Sequence, residues 1–367
     1  MNIDINPKIL IWAREERGML TKDVAEKLKI QVSDLANWEN NGKAIPFTML
    51  ELISKLYKRQ TAVFFLSSVP EKIKKPKDCR NLAGRIGKFS VETMLAMRRT
   101  ERYLEVAREL LDPLYWTKQY EWTKIFTSKQ DDNKKDISNL REMLDLQNYG
   151  GLKYQKSDEA FRNWRLKIEE KLGIFVFQFS MPEDEIDGFS YAFDKFPYAI
   201  VVNNHNSPVR KIFTIFHELF HILKHNPCAC NTDFSDNKRQ LNIELECNKF
   251  AGSFLVPREN LKKAVSIEEI FSLAKLSNVS GETYLRRMHD EQLISPSKFF
   301  ELLDLVKTRS SNFIRHKSKG APSMFIQSKS TRGNKFFGIV TSAAATNQIS
   351  YSSASDLLGL KASKFQS

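Results

Sequence analysis

The apolar positions follow three regimes along the chain. Up to about residue 66 they recur at helical spacing in short segments. Pro7 opens a helix that runs to about Arg17 and closes at Gly18, a Pro-in, Gly-out pattern typical of helix ends. Thr21 stands as the N-cap of KDVAEKLKI, with Val24, Ala25 and Leu28 on one face. After a break over Gln31–Ser33, DLANWEN continues as a helix to Gly42, and Pro46 opens another, FTMLELISKLYKR. Two short helices with a small residue, Ala25, where they cross predict a helix-turn-helix.

A basic, proline-punctuated connector, KIKKPKDCR (72–80), follows. Residues 91–127 return to helical periodicity, 128–136 read as a polar loop, and helices are expected around 137–146 and 157–172. At Gly173 the pattern changes. GIFVFQF, GFSYAF and YAIVVNN are β-branched or aromatic runs bounded by turn residues, the signature of a small sheet. Ser207-Pro208 then starts the helix VRKIFTIFHELFHILKH, and NIELECNKFAGSFLVP (242–257) forms the next. Residues 267–294 predict a helix pair with Ser280 as a cap. Beyond Lys307 the chain turns rich in Ser, Lys and Gly, with KSKGAPS as a loop. SYSSASDLLGLKASKF then reads either as half of a helix-turn-helix or as short helices docked on the main body. The expected fold class is mostly α with a small β-sheet (α+β).

Composition narrows the function classes. The chain has 367 residues, 41% of them hydrophobic, enough for two or three domains with real cores. No run approaches the roughly 18 apolar residues of a membrane helix. MNIDINPKIL lacks a basic segment followed by an apolar one, so a cytoplasmic protein with no membrane partner is expected. Four cysteines do not make a disulfide framework in a chain this long. The net charge is +13, and from Lys307 onward ten basic residues face only Asp356, a local balance of +9. That asymmetry fits a polyanion such as DNA, an acidic protein surface, or a solvated basic tail.

The candidate chemistry lies in HELFH. His217 and His221, four residues apart, project from one face of a helix and are placed to bind one Zn²⁺. Glu218 lies beside them, positioned to take a proton from water that the metal acidifies. In the following helix Glu244 and Asn248 share a face. Glu244 would complete a His₂Glu site and Asn248 would support a ligand from behind. Glu246 is the alternative ligand. Glu244 is preferred by analogy with the E-x-x-x-D pairing of thermolysin-like enzymes. His225 is one turn beyond His221, behind the ligands or at the surface. Tyr191 and Tyr198 are the nearby donors for an oxyanion, with no ground to choose between them. Cys228 and Cys230 read as free thiols in a reducing compartment, or as a thiolate that fills the open zinc position.

These segments resemble the ImmA/IrrE family of metallopeptidases. Phe213, Thr214, His217, Glu218, His221 and His225 match its FTxxHExxHxxxH run. Glu244, Asn248, Phe250, Ala251, Leu255 and Pro257 match ExxANxFAxxLLxP, with Cys247 where Ala is commoner. The N-terminal helices resemble the XRE-type repressor domain, the doubled Asn40–Asn41 lengthening one turn. Carried over by position, Gln31, Ser33 and Asn37 would face DNA, with Asp34 poorly suited beside phosphates. The alternative expectation is a helix-turn-helix used for protein contact or for dimerisation, which would give a homodimer. The resemblance implies a helix-turn-helix bundle at 1–68 and, at 69–172, a helical connector or the N-terminal part of the peptidase region. A zincin-like metallopeptidase domain at 173–306 and a basic C-terminal region at 307–367 complete the order. It further implies a zinc endopeptidase whose protein substrate is an XRE-type repressor, in a stress or mobile-element response. The competing expectation is a DNA-binding regulator or antitoxin-like protein that keeps a non-catalytic peptidase fold.

Overall fold

The computed structural model describes residues 1–70, 89–126, 133–146, 156–192, 196–224, 237–311 and 323–361. The described residues fall into two compact units, one from Met1 to Glu101 and one from Arg102 onward.

The first unit packs α1 (Pro7–Glu15), α2 (Thr21–Leu28), α3 (Val32–Asn41) and α4 (Phe47–Tyr57) around one core. Ile9, Leu10, Val24, Leu35, Leu50 and Ile53 are fully buried in it. Two points depart from expectation. Thr21 is the first residue of α2 rather than its cap, since extended Leu20 precedes it and makes no side-chain cap bond. The doubled asparagine extends α3 by a residue instead of lengthening a turn, because Gly42, at φ +67°, supplies the left-handed C-cap. A two-stranded ribbon that the sequence pattern does not reveal pairs β1 (Asn2–Ile3) with β2 (Ile45–Pro46). Each strand is two residues long, too short for alternation to show. Arg14 of α1 forks onto Glu39 of α3, with Nε to Oε1 at 2.6 Å and Nη2 to Oε2 at 3.0 Å.

The second unit is built on three strands in the order β3 (Phe175–Phe179), β5 (Ala199–Asn203), β4 (Gly188–Tyr191). β3 and β5 are parallel, with Phe177 opposite Val201, and β4 is antiparallel to β5. Residues of β3 and β5 are buried throughout, as expected of strands covered on both faces. Phe175, Phe177 and Phe179 line one face and meet Phe336 of α14 (Met324–Ala345) and Tyr103 of α5 (Val91–Leu110). Gln178 points to the other face, where Lys211 of α9 (Pro208–Lys224) donates to it at 3.0 Å. Gly188 matters here: a Cβ would collide with the Val201 carbonyl and the Thr214 methyl, so glycine is what lets α9 lie against the edge strand.

The chain from Lys307 onward is not a loose tail throughout. α14 lies on β3, and α15 (Tyr351–Leu358) docks on α14 through Ser328 Oγ, which donates to the Leu358 carbonyl at 2.6 Å. α14 breaks at Gly333, whose φ of +81° and ψ of 162° separate two helical pieces. The buried Glu169 carboxylate caps the second piece, accepting from the Asn334 and Lys335 N–H groups at 2.9 and 3.3 Å. Asp136, expected in a loop, lies in α7 (Asn133–Met143) and pairs with Lys224 of α9 at 2.7 Å.

Candidate metal centre

α9 is buried along most of its length because it runs between the sheet and α10 (Asn237–Leu255). Its aromatic residues fix its rotation. Phe216 stacks on Phe254 of α10 with centroids 4.3 Å apart and meets Trp164 of α8 (Ser157–Lys167) edge-on at 5.0 Å. Phe220 packs on Phe250 at 4.6 Å. With those rings set, His217 and His221 turn their Nε2 atoms toward each other, 3.1 Å apart.

Glu244 enters from α10. Its Oε2 is 3.2 Å from His217 Nε2 and its Oε1 is 3.3 Å from His221 Nε2. Burial alone would raise the Glu244 carboxyl, yet His217 and His221, when they carry protons on the nitrogens facing it, outweigh burial by hydrogen bonding and charge and hold the group well below the usual carboxylate range. Asn248 Oδ1 accepts from His217 Nδ1 at 3.0 Å. In the neutral ring that bond puts the proton on Nδ1 and leaves the Nε2 lone pair facing inward. Two imidazole nitrogens in contact beside a carboxylate need a positive charge among them, either a shared proton or a cation. Four-coordinate zinc with ligands about 2.0–2.1 Å away sets neighbouring ligand atoms about 3.4 Å apart. The two Nε2 atoms stand 3.1 Å apart and each lies 3.2 to 3.3 Å from a different Glu244 oxygen, spacings close to those of such a cage with the carboxylate straddling its corner.

Glu218 is fully buried in α9 next to the first histidine. Glu246, the alternative to Glu244, is exposed. His225, Cys228 and Cys230 lie outside the described residues. Tyr198 is packed in an aromatic group with Phe196 and Tyr120, and Tyr191 meets Phe189 edge-on. Sequence reasoning passed over Cys247 as a site residue. Its sulfur is 3.4 Å from His221 Nε2, and Cys247, His217 and His221 offer ligand atoms within 4.8 Å of one another. The signal was present: Glu244, Cys247 and Asn248 stand at i, i+3 and i+4, one face of a helix.

In the N-terminal unit, Gln31, Ser33, Asp34 and Asn37 are all exposed at or near the start of α3. A groove elsewhere on that unit is lined by Arg17, Lys27, Lys29, Lys55 and Lys58.

Two adjacent helices presenting His-Glu-x-x-His and a glutamate beneath a small sheet define a metallopeptidase-like domain. Residues 169–289 match the family described as the IrrE N-terminal-like domain, a peptidase family, and residues 10–64 match the helix-turn-helix family. The chain therefore joins a helix-turn-helix domain to an IrrE N-terminal-like domain, as its motifs imply. No curated protein and no solved structure matches the chain. No helix among the described residues is long and apolar enough to cross a membrane.

Proposed function

We propose that this protein is a zinc-dependent endopeptidase acting on a regulatory protein. The observation that carries the reading is the convergence of His217 and His221, their Nε2 atoms 3.1 Å apart, on the Glu244 carboxylate, one oxygen within 3.3 Å of each. Two nitrogens and one carboxylate oxygen are a donor set suited to zinc. When bound, the ion supplies a Lewis acid that polarises a peptide carbonyl and lowers the pKa of water. His217 and His221 would hold it through Nε2, and Asn248 fixes the His217 ring. Glu218 accepts the proton of the attacking water on its carboxylate and returns it to the leaving amine. Substrate would lie extended along β4, an edge strand packed against α9, pairing by main-chain hydrogen bonds. By resemblance the substrate is an XRE-type repressor, cleaved in a stress or mobile-element response.

A second reading is favoured by the exposed Gln31, Ser33 and Asn37 on the helix-turn-helix: a DNA-binding regulator in which the peptidase fold serves only structure or sensing. One experiment separates the two. The purified chain is assayed for zinc and incubated with the XRE-type repressor encoded nearest its gene. Cleavage that a chelator stops, and that Glu218→Gln lowers by about 100-fold or more with zinc content unchanged, is the expected result. An unaltered biological effect of Glu218→Gln at full zinc content would rule hydrolysis out as the function.

A further inference from the structure

We propose that Cys247 is a fourth protein ligand to the same ion, so that the resting site is closed by His217, His221, Glu244 and Cys247. This rests on the metal reading above and goes beyond it, since a hydrolytic zinc site keeps one position open whereas four protein ligands define a closed one.

Three observations lead there. Cys247 is one turn from Glu244 on the face of α10 that meets α9, so helix geometry aims both side chains at the same point. The residue is fully buried and forms no disulfide. Its sulfur lies closer to the ligand nitrogen of His221, Nε2 at 3.4 Å, than to Nδ1 at 3.6 Å. A zinc–sulfur bond of about 2.3 Å beside a zinc–nitrogen bond of about 2.0 Å puts sulfur and nitrogen about 3.5 Å apart at the tetrahedral angle. The observed distance to Nε2 is close to that value; an ion on the Nε2 lone pair would set the sulfur about 5 Å from Nδ1, so Cys247 reaches the ion by turning its side chain outward from its place beside the ring. An inert buried cysteine needs only apolar neighbours, and this one instead lies where its sulfur and the ligand nitrogens of His217 and His221 are within 4.8 Å of one another. On binding, the sulfur loses its proton to solvent and coordinates as the thiolate.

The consequence is latency. With sulfur in place, carbonyl and water have no position on the ion, and Glu218 has nothing to deprotonate. Hydrolysis requires that Cys247 leave the ion while His217, His221 and Glu244 keep it.

The test uses the full chain loaded with one equivalent of zinc, and separately with cobalt. X-ray absorption of the zinc protein is expected to show one sulfur at about 2.3 Å, and the cobalt protein a thiolate-to-metal charge-transfer band. Cys247→Ala is expected to lose both signals and to bind zinc at least about tenfold more weakly in chelator competition. Cys247→Ser, which keeps the side-chain size, is expected to lose both as well, so a folding defect in the alanine variant does not decide the matter. One zinc in a shell of nitrogen and oxygen only overturns the proposal and leaves the metallopeptidase reading standing. Sulfur signals that persist in both variants assign the thiolate elsewhere and overturn it too. A chain that takes up no zinc overturns both readings.

Discussion

Asn248 Oδ1 accepts a hydrogen bond from His217 Nδ1 at 3.0 Å, while Nε2 of the same ring stands 3.2 Å from Glu244. One ring is thus held from both sides by residues one turn apart on α10. The partner behind a ligand sets its tautomer and orientation, and its loss commonly weakens metal binding about 10–100-fold. Asn248→Ala is expected to weaken zinc binding within that range, and Asn248→Asp, which still accepts from Nδ1, to retain most of it. Chelator competition measures both. Equal affinity in all three proteins would show that the ring is positioned by packing on α9 alone.

Much of this was readable beforehand, for identifiable reasons. HELFH and the Glu244–Asn248 pair carry their geometry in their spacing, because a helix converts four residues into one face. The three strands stood out through Phe175, Phe177, Val201 and Val202, which are dense in β-formers and bounded by turns. What stayed hidden depends on partners distant in sequence. Cys247 looks like a small core residue until α9 places His221 against it. Nothing local tells that Glu169 will cap a helix beginning at Asn334, 165 residues later. Charge alone leaves a solvated basic tail open for the chain beyond Lys307, beside docked short helices, and Phe336 packs α14 on Phe175 and Phe177 of the sheet. Its place depends on partners far away in sequence, since Lys335 of the same helix also reaches the Tyr115 hydroxyl at 3.1 Å.

The Arg14–Glu39 fork joins α1 to α3, the helix that carries Ser33 and Asn37. It is only slightly exposed, and the hydrogen bond from Arg14 to Glu39 holds the guanidinium pKa above its usual value. Arg14 also reaches the Met19 carbonyl at 3.0 Å, so one side chain fixes both helices and the turn between α1 and α2. Removing a single partner from such a pair leaves the other charge uncompensated and costs about 3 kcal/mol. Glu39→Ala is expected to lower hydrogen-exchange protection across α1 and α3 by that amount, whereas Glu51→Ala at an exposed position leaves it unchanged. Comparable protection in both variants would mean that the apolar core alone orients α3.

Glu169 and Gly333 make the last prediction. The carboxylate is almost fully buried beside Arg165, whose Nε is 3.5 Å away, and accepts from the Asn334 and Lys335 N–H groups. A Cβ on Gly333 would strike its Oε1, and the backbone there is left-handed. Gly333→Ala is therefore expected to destabilise the second unit by about 3 kcal/mol or more, through strain and clash together, as urea melts would show. For Glu169 the sign follows from its environment. Burial raises the carboxyl, and Arg165 with the backbone N–H groups only partly offsets that. A carboxyl raised in the folded state stabilises below its unfolded pKa, and that advantage is lost as pH rises through the folded value. Wild-type stability should accordingly fall relative to Glu169→Gln as pH climbs from the ordinary carboxylate range through the raised one. The opposite slope in paired urea melts would show that the N–H groups of the second helical piece and Arg165 outweigh burial, making the ionised carboxylate the favoured cap.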